Sequence, residues 1–335
     1  MRRAIALILG LWSPVSLAQQ VTVNIDPQLA EQYGIDVAGL DDEMSGAITN
    51  DLNLGDQSNY LRSMARAAAI STKGMGVDYG SAPDAFILGG SLGTGVNAAG
   101  VQLGRGKQDL PEAGFSFQVA GMAGLNLGAF NHDGFLNRFV LSANGMALNT
   151  RGDVFDGKLE NFGVYLQCRL IEPMGVGLSW GGLALTSGYA LTNYSMKLKS
   201  GLPVTAPVAD LDVTWNATGA YEIASNTTAI PIELSTSLQV LLFTLYGGVG
   251  MDINTAAATS EISLGGDLVA EVPSAGQQQL GSALVSLSDV GKDTGEVPRI
   301  FLGLQANLLM LKLYGHLNVA FDQSFGGHFG VRLAR

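Results

Sequence analysis

The residues that could support catalysis form no complete site in this sequence. The run Gly89-Gly90-Ser91-Leu92-Gly93 matches the Gly-x-Ser-x-Gly pattern. A serine nucleophile of that kind needs a strand-to-helix elbow with His and acid partners, whereas this motif lies among glycines in a predicted strand. His316 and His328 have no Ser-and-acid arrangement on the flanking segments, and His132 lies in a predicted turn. The sequence therefore predicts that the protein is not an enzyme and uses no cofactor.

Cysteine and metal chemistry are similarly limited. Cys168 is the only cysteine, so the chain can form neither an intramolecular disulfide nor a Cys-based metal cluster. Apolar residues alternate around it from Phe162 to Leu170, which places the thiol on the apolar face of a predicted strand. A metal site needs several ligands close together, and the sequence shows no such spacing. No metal site is predicted.

Charged and histidine side chains recur on the polar face of several predicted strands. They are Arg169, Glu233, Asp252, Lys312, His316, His328 and Arg332, with Arg138 and Arg299 as further candidates. If these strands form a barrel, this face lines its lumen. The charges would then either pair with one another and with Arg62, Arg66 or acids of the N-terminal segment, or line a narrow gated conduit.

The strands themselves are predicted from period-two alternation. From Leu311 to Phe321 every second residue is apolar or glycine, while Lys312, Tyr314, His316 and Asn318 fall on the other face. Similar alternation covers the segments that begin at Phe115, Ile230 and Phe243. Such alternation is typical of β-strands with one apolar and one polar face.

Composition favours a membrane barrel over a soluble sheet. The chain has 335 residues, of which 47% are hydrophobic and 14% charged, against about 25% charged in soluble domains. Beyond the first twenty residues, no uncharged apolar run approaches the roughly 18 residues of a membrane helix. A sheet can span lipid only as a closed barrel, because every edge must be paired. We therefore predict an all-β antiparallel transmembrane β-barrel of about ten strands, with twelve or fourteen as alternatives.

Turn residues suggest how the strands connect. Tight turns are predicted near 172–175, 241–242 and 308–310, on the periplasmic side. The connections near 98–113, 149–157, 199–229 and 256–298 are longer and are predicted to be extracellular loops. Leucines at helical spacing between 277 and 290 suggest a helical turn within the last of these loops. A break in the alternation at 183–191 indicates a β-bulge.

The N-terminal part differs from the rest. Residues 1–18 have a basic start, a short apolar core and a small-x-small cleavage site, which indicates a secretory signal peptide. Residues 19–84 contain a short strand near Val21, helix starts at Asp26-Pro27 and Asp41, and a clear helix from Gln57 to Ile70. This segment is predicted to be a lumen plug or a periplasmic linker. Residues 85–335 form the predicted barrel.

Export and charge limit the partners. The predicted location is the outer membrane of a Gram-negative bacterium, with membrane lipid, lipopolysaccharide and the barrel assembly machinery as partners. The formal net charge of −11 argues against nucleic acid, because phosphate binding needs clustered Lys and Arg.

The segment before the first barrel strand resembles the FadL-type transporters of hydrophobic molecules. The shared features are the small-residue helix at 65–70 and the following Ser81-Ala82-Pro83-Asp84-Ala85, which stands where that family carries Asn-Pro-Ala. The resemblance covers roughly a tenth of the chain, and it implies a plugged barrel that passes or binds a hydrophobic or small amphipathic molecule. The alternative is a structural barrel whose loops bind an extracellular protein partner. A lipid-modifying barrel enzyme is the third hypothesis.

Overall fold

The computed structural model describes residues 18–32, 36–51, 57–81, 83–98, 113–130, 134–175, 177–208, 211–272 and 275–335. The predicted signal peptide, apart from its last residue, lies outside the described residues. So do His132 and most of the predicted 98–113 loop.

The alternating segments form long β-strands. The strands are β1 (Ala18–Ile25), β2 (Phe86–Asn97), β3 (Gly114–Asn126), β4 (Phe139–Arg151), β5 (Phe155–Ile171), β6 (Leu178–Val208), β7 (Leu211–Val240), β8 (Phe243–Val272), β9 (Gly276–Leu308), β10 (Leu311–Ala320) and β11 (Ser324–Ala334). The helices are α1 (Pro27–Gln32), α2 (Val37–Asp51) and α3 (Ser58–Ser71), with short 3-10 helices at Leu127–Phe130 and Phe135–Arg138.

Strand pairing closes a ring. Among the described residues the hydrogen-bonded order is β9-β10-β11-β2-β3-β4-β5-β6-β7-β8, and β8 pairs again with β9, while β1 adds to β9 as the eleventh strand of the sheet. Consecutive strands are therefore antiparallel neighbours. The prediction of an all-β antiparallel barrel of about ten strands is confirmed.

Over part of the ring, the two faces have the reverse of a soluble protein's polarity. On β10, Leu313 and Leu317 are exposed, while Tyr314, His316 and Asn318 between them are buried. Strands β2, β3, β5 and β11, and β7 and β8 near the turn at 241–242, repeat this pattern, with Leu, Ile or Phe exposed on the outer face and polar side chains buried on the inner face. This is the pattern expected of a barrel with apolar surroundings and a polar interior.

Two predicted long loops are strands instead. Residues 199–208 and 211–229 belong to β6 and β7, and residues 256–272 and 276–298 belong to β8 and β9. The polar residues that suggested loops occupy the exposed face of strands whose other face is buried, as with Asp212 beside Val213. The predicted helical turn at 277–290 is also wrong, because these residues belong to the continuous strand Gly276–Leu308.

Three of the predicted irregularities appear where expected. Two-residue turns join β7 to β8 and β9 to β10, with Leu241 and Leu309 at positive φ, as the twist of tight hairpins requires. The β5–β6 pairing shifts register between Arg169 and Ile171, opposite the phase break that begins at Leu183.

The described residues group into two compact units. Unit 1 (residues 1–55, 199–221 and 260–290) has a hydrophobic core in which Trp215 and the α2 residues Leu40, Met44 and Ile48 are fully buried. The three α2 residues are four apart, so they share one helical face. The helix begins at Val37, capped by the Asp36 carboxylate, rather than at Asp41 as predicted.

Unit 2 (residues 56–198, 222–259 and 291–335) contains α3 packed on β2, β3 and β11. Glycines allow this close approach. A Cβ at Gly114 would overlap the backbone of Ser63, and one at Gly95 would overlap the carbonyl oxygen of Ala67. The helix backbone therefore lies directly on the strands.

Replacing Gly114 with valine is expected to lower the free energy of unfolding by about 1–3 kcal/mol, because α3 must move away from β3. Urea denaturation in detergent micelles would measure the change. Gly315→Val is the matched control, since a Cβ at Gly315 has nothing within 4 Å. An equal loss in both variants would contradict the close helix–strand contact.

Candidate functional site

Arg299 is the centre of a buried polar network inside unit 2. It lies on the inner face of β9 and is 1% exposed. Its Nε donates to Asp252 Oδ2 at 2.8 Å, its Nη1 donates to Asn318 Oδ1 at 2.6 Å, and its Nη2 donates to Glu233 Oε1. One guanidinium thus joins acceptors on three other strands, which suits its planar fork of donors.

The chain that follows α3 enters the same network. Lys73 Nζ lies 3.5 Å from Asp252 Oδ1 and 3.2 Å from Asn254 Oδ1. The Tyr79 hydroxyl donates to Glu233 Oε2 at 2.6 Å. Burial lowers the pKa of the Lys73 ammonium, which lies outside the strands, and the nearby Asp252 carboxylate opposes that shift. Residues 71–81 therefore contact the inner face through paired, buried side chains.

A second cluster holds the same segment at Arg332. The Arg332 guanidinium lies 3.2 Å from Asp78 Oδ1 and donates to the carbonyl of Val77 at 3.0 Å and to Gln305 Oε1 at 2.6 Å. Asp78 Oδ1 also accepts the backbone N–H groups of Gly80 and Ser81. This carboxylate both folds the turn and pairs it with β11.

The two predicted lumen histidines form a stacked pair. His316 and His328 are direct partners on β10 and β11, and their ring centroids are 4.4 Å apart. Tyr79 stacks on His316 at 5.4 Å, and His316 Nε2 lies 3.2 Å from Asn318 Oδ1. The pair is packed among the rings of Tyr79, Tyr246 and Phe301 on the His316 side and Tyr314 on the His328 side.

The network balances its charges. Its cations are Lys73, Arg299 and Arg332, and its carboxylates are Asp78, Glu233 and Asp252. Buried charges persist when each is paired and hydrogen-bonded. Residues 71–81, the inserted segment, supply one charge of each sign through Lys73 and Asp78. The arrangement is suited to holding that segment in place.

A family model described as Lsa36-like matches residues 16–334. The chain belongs to the Lsa36-like family. No curated protein matches it.

Several solved structures share weak likeness with this Lsa36-like chain. The transport unit of the autotransporter AIDA-I from Escherichia coli is 9% identical over 83% of this chain and 99% of that chain, with a TM-score of 0.20. The toluene transporter TodX of P. putida is 8% identical over 76% of this chain and 91% of that chain, with a TM-score of 0.24. A deltaS2 mutant of the TodX monoaromatic hydrocarbon channel is 8% identical over 82% and 97%, with a TM-score of 0.26. Likeness at this level supports no detailed comparison.

The predicted lumen residues of this Lsa36-like chain fall into two groups. Glu233, Asp252, His316, His328 and Arg332 are buried in the network. Two others lie at its margin. Arg169 donates to the carbonyl of Pro83 at 2.8 Å, and half-buried Lys312 donates to the carbonyl of Leu309 in the adjacent turn.

The predicted plug arginines make different contacts from those expected. Arg66 pairs with Asp293 at 2.8 Å, and Arg62 Nε donates to the carbonyl of Lys292 at 3.3 Å. The segment's contacts with the inner strand charges come instead from Lys73 and Asp78. Sequence reasoning did not single out Lys73, and it included Asp78 only among the unnamed acids of the N-terminal segment, because the residues after Ile70 were interpreted as the end of α3.

The remaining sequence candidates do not form a second site within the described residues. Ser91 lies in the interior of β2 with no elbow, and Arg138 is exposed beside Glu172. Cys168 is a half-buried free thiol. No group of three His, Cys, Asp or Glu side chains in the described ranges could hold a metal ion. None of the described helices is long and apolar enough to cross a membrane.

Proposed function

We propose that this chain is an outer-membrane β-barrel of a Gram-negative bacterium. Residues 57–81 act as its lumen plug, and the barrel binds or passes a hydrophobic or small amphipathic molecule. The observation that carries the proposal is the pairing of Lys73 and Asp78 with buried charges on the inner strand faces. A segment held by charges of both signs closes the interior to free ion flow.

The outer face supports a membrane location. Leu302, Leu317, Phe325 and Phe329 are about half exposed or more, and large apolar residues occupy the exposed face of the unit 2 strands. In water this surface would favour aggregation, whereas in a bilayer it is the expected surface of a barrel.

An apolar groove on that face supports a hydrophobic ligand. Its volume is about 690 Å³, within the roughly 300–1,000 Å³ of ligand pockets. Gly315 and Gly327 leave space between Leu302, Leu317 and Phe329. A molecule bound there would contact mainly hydrocarbon.

The test compares the wild type with Lys73→Met/Asp78→Asn, which removes one charge of each sign from the inserted segment. Mass spectrometry identifies molecules retained by the detergent-purified protein, and planar bilayers report conductance. We expect a defined apolar species in the wild type and a severalfold conductance increase in the variant. The control is Lys158→Met/Glu160→Gln, which removes an exposed ion pair of 2.9 Å from β5.

An empty protein with unchanged conductance in all three forms would contradict the proposal. It would favour a second function, an interaction barrel that binds a partner through unit 1. This alternative rests on the negative charge of unit 1. Beyond residue 17, the sequence of unit 1 contains thirteen Asp and Glu residues, and its only Lys or Arg is Lys199. Such a surface suits a basic protein partner.

A further inference from the structure

Strands β3 and β4 separate before either of them ends. Their pairing runs from Asn126–Val140 to Gly121–Gly145 and goes no further. β3 nevertheless begins at Gly114, and β4 continues to Arg151. Over this stretch β3 stays paired with β2, and β4 stays paired with β5. The described wall therefore has a break between residues 114–120 and 146–151.

The free end of β3 is held on the inner side of β5. Asn161, an inward-facing residue of β5, donates from Nδ2 to the Val119 carbonyl at 2.7 Å and to Gln118 Oε1 at 3.1 Å. A backbone acceptor no longer paired with β4 thus gains a side-chain donor, as buried carbonyls require. On its other side β3 packs on α3, where the Phe115 N–H lies 3.3 Å from Met64 Sδ.

A cleft of about 220 Å³ lies at this break. One wall is Phe117, from the outer face of β3. The opposite wall is Leu148, Leu159 and Tyr194, from the inner faces of β4, β5 and β6. Residues of an outer and an inner face can line one cavity only because β3 has moved inward from its neighbour.

The lining determines the class of ligand. Phe117, Leu148, Phe155 and Leu159 supply apolar surface. Lys158, the charged residue of the lining, is exposed and paired with Glu160, so the cleft presents no buried charge to a ligand. Its volume is below that of pockets for drug-sized molecules, about 300–1,000 Å³. The space fits part of one slender hydrocarbon chain.

We propose that this cleft binds a single hydrocarbon chain of a lipid that enters from the membrane side. The proposal rests on the proposed function and adds the position of the ligand and its class. The membrane supplies such chains along the continuous apolar outer face, which reaches the cleft at Phe117. Phe117 also lines the larger outer groove, so the two apolar surfaces meet at this residue.

The test is photolabelling of the full-length protein in detergent with hexadecanoic acid that carries a diazirine on its chain. Labelled peptides are mapped by mass spectrometry, with excess unlabelled hexadecanoic acid as competitor. The key variant is Thr150→Phe, which fills the cleft from β4. Its matched control is Asn149→Phe, the exposed neighbour whose side chain points to the opposite face of the same strand.

We expect competable labels on β3, β4 and β5, reduced at least fivefold in Thr150→Phe and unchanged in Asn149→Phe. Equal labelling in both variants would overturn the cleft assignment. Labels confined to the outer groove of β9–β11 would also overturn it while leaving the proposed function intact. Absence of competable labelling anywhere would count against both.

Discussion

Replacing Arg299 with methionine is expected to lower the free energy of unfolding by about 3–5 kcal/mol, the cost of breaking a buried ion pair by removing one partner. Arg299 contacts Glu233, Asp252 and Asn318. Methionine fills much of the same volume but donates no hydrogen bond. Two carboxylates then stay buried with fewer partners, because Tyr79 and Lys73 replace only part of what the guanidinium provided.

Urea denaturation of the purified protein in micelles would measure this loss. Lys312→Met is the matched control, since Lys312 is half buried and its hydrogen bond is to the carbonyl of Leu309 in a turn. That change should stay within about 0.5 kcal/mol, as for most surface substitutions. A loss below about 1 kcal/mol for Arg299→Met would show that the network does not depend on the guanidinium.

Arg299→Lys separates charge from geometry. A lysine keeps the positive charge but cannot direct donors to three acceptors in one plane. We therefore expect a stability between the wild type and the methionine variant. A lysine variant as stable as the wild type would mean that charge alone holds the network together.

The sequence predicted the barrel because alternation is a local signal. In β10 and β11 each residue's face follows from its parity, so His316, His328 and Arg332 were assigned to the inner face before the structure placed them there. The ion-pair partners of these inner-face residues could not be predicted in the same way. That Arg299 reaches Glu233 and Asp252 depends on strand order and stagger, which parity does not contain.

The contacts of the inserted segment were harder still to predict from the sequence. Lys73 and Asp78 lie in a glycine-rich stretch with no periodic pattern, and their partners are more than 170 residues away in sequence. Arg62 and Arg66 were predicted as contacts because helical spacing makes their direction readable. The segment without such spacing supplies the buried charges instead.

Unit 1 was missed for a compositional reason. Its strands carry Pro203, Pro207 and many polar residues on their exposed face, and these residue types are common in loops. The opposite face carries Val204, Val213 and Trp215. Because prolines and acids lay between these residues, the sequence suggested loops where the structure has a hydrophobic core.

Replacing Trp215 with alanine is expected to destabilise this hydrophobic core. Trp215 is fully buried against α2 and neighbouring strands, and its indole N–H donates to the carbonyl of Ala283 at 3.2 Å. Removing it leaves a cavity and loses this hydrogen bond, so unit 1 should lose about 3–5 kcal/mol of stability, as large aromatic truncations do.

Hydrogen exchange of the full-length protein would show where the loss occurs. Amides of residues 211–217 and 262–272 should exchange faster in Trp215→Ala, while those of β10 and β11 keep their protection, because local stability follows local packing. Trp180→Ala provides the comparison within the same residue type, since Trp180 is only half buried and its loss should cost less than half as much. Unchanged exchange at 211–217 would mean that the buried indole does not support this core. Equal acceleration in β10 and β11, which belong to unit 2, would mean instead that the two units unfold as one cooperative structure.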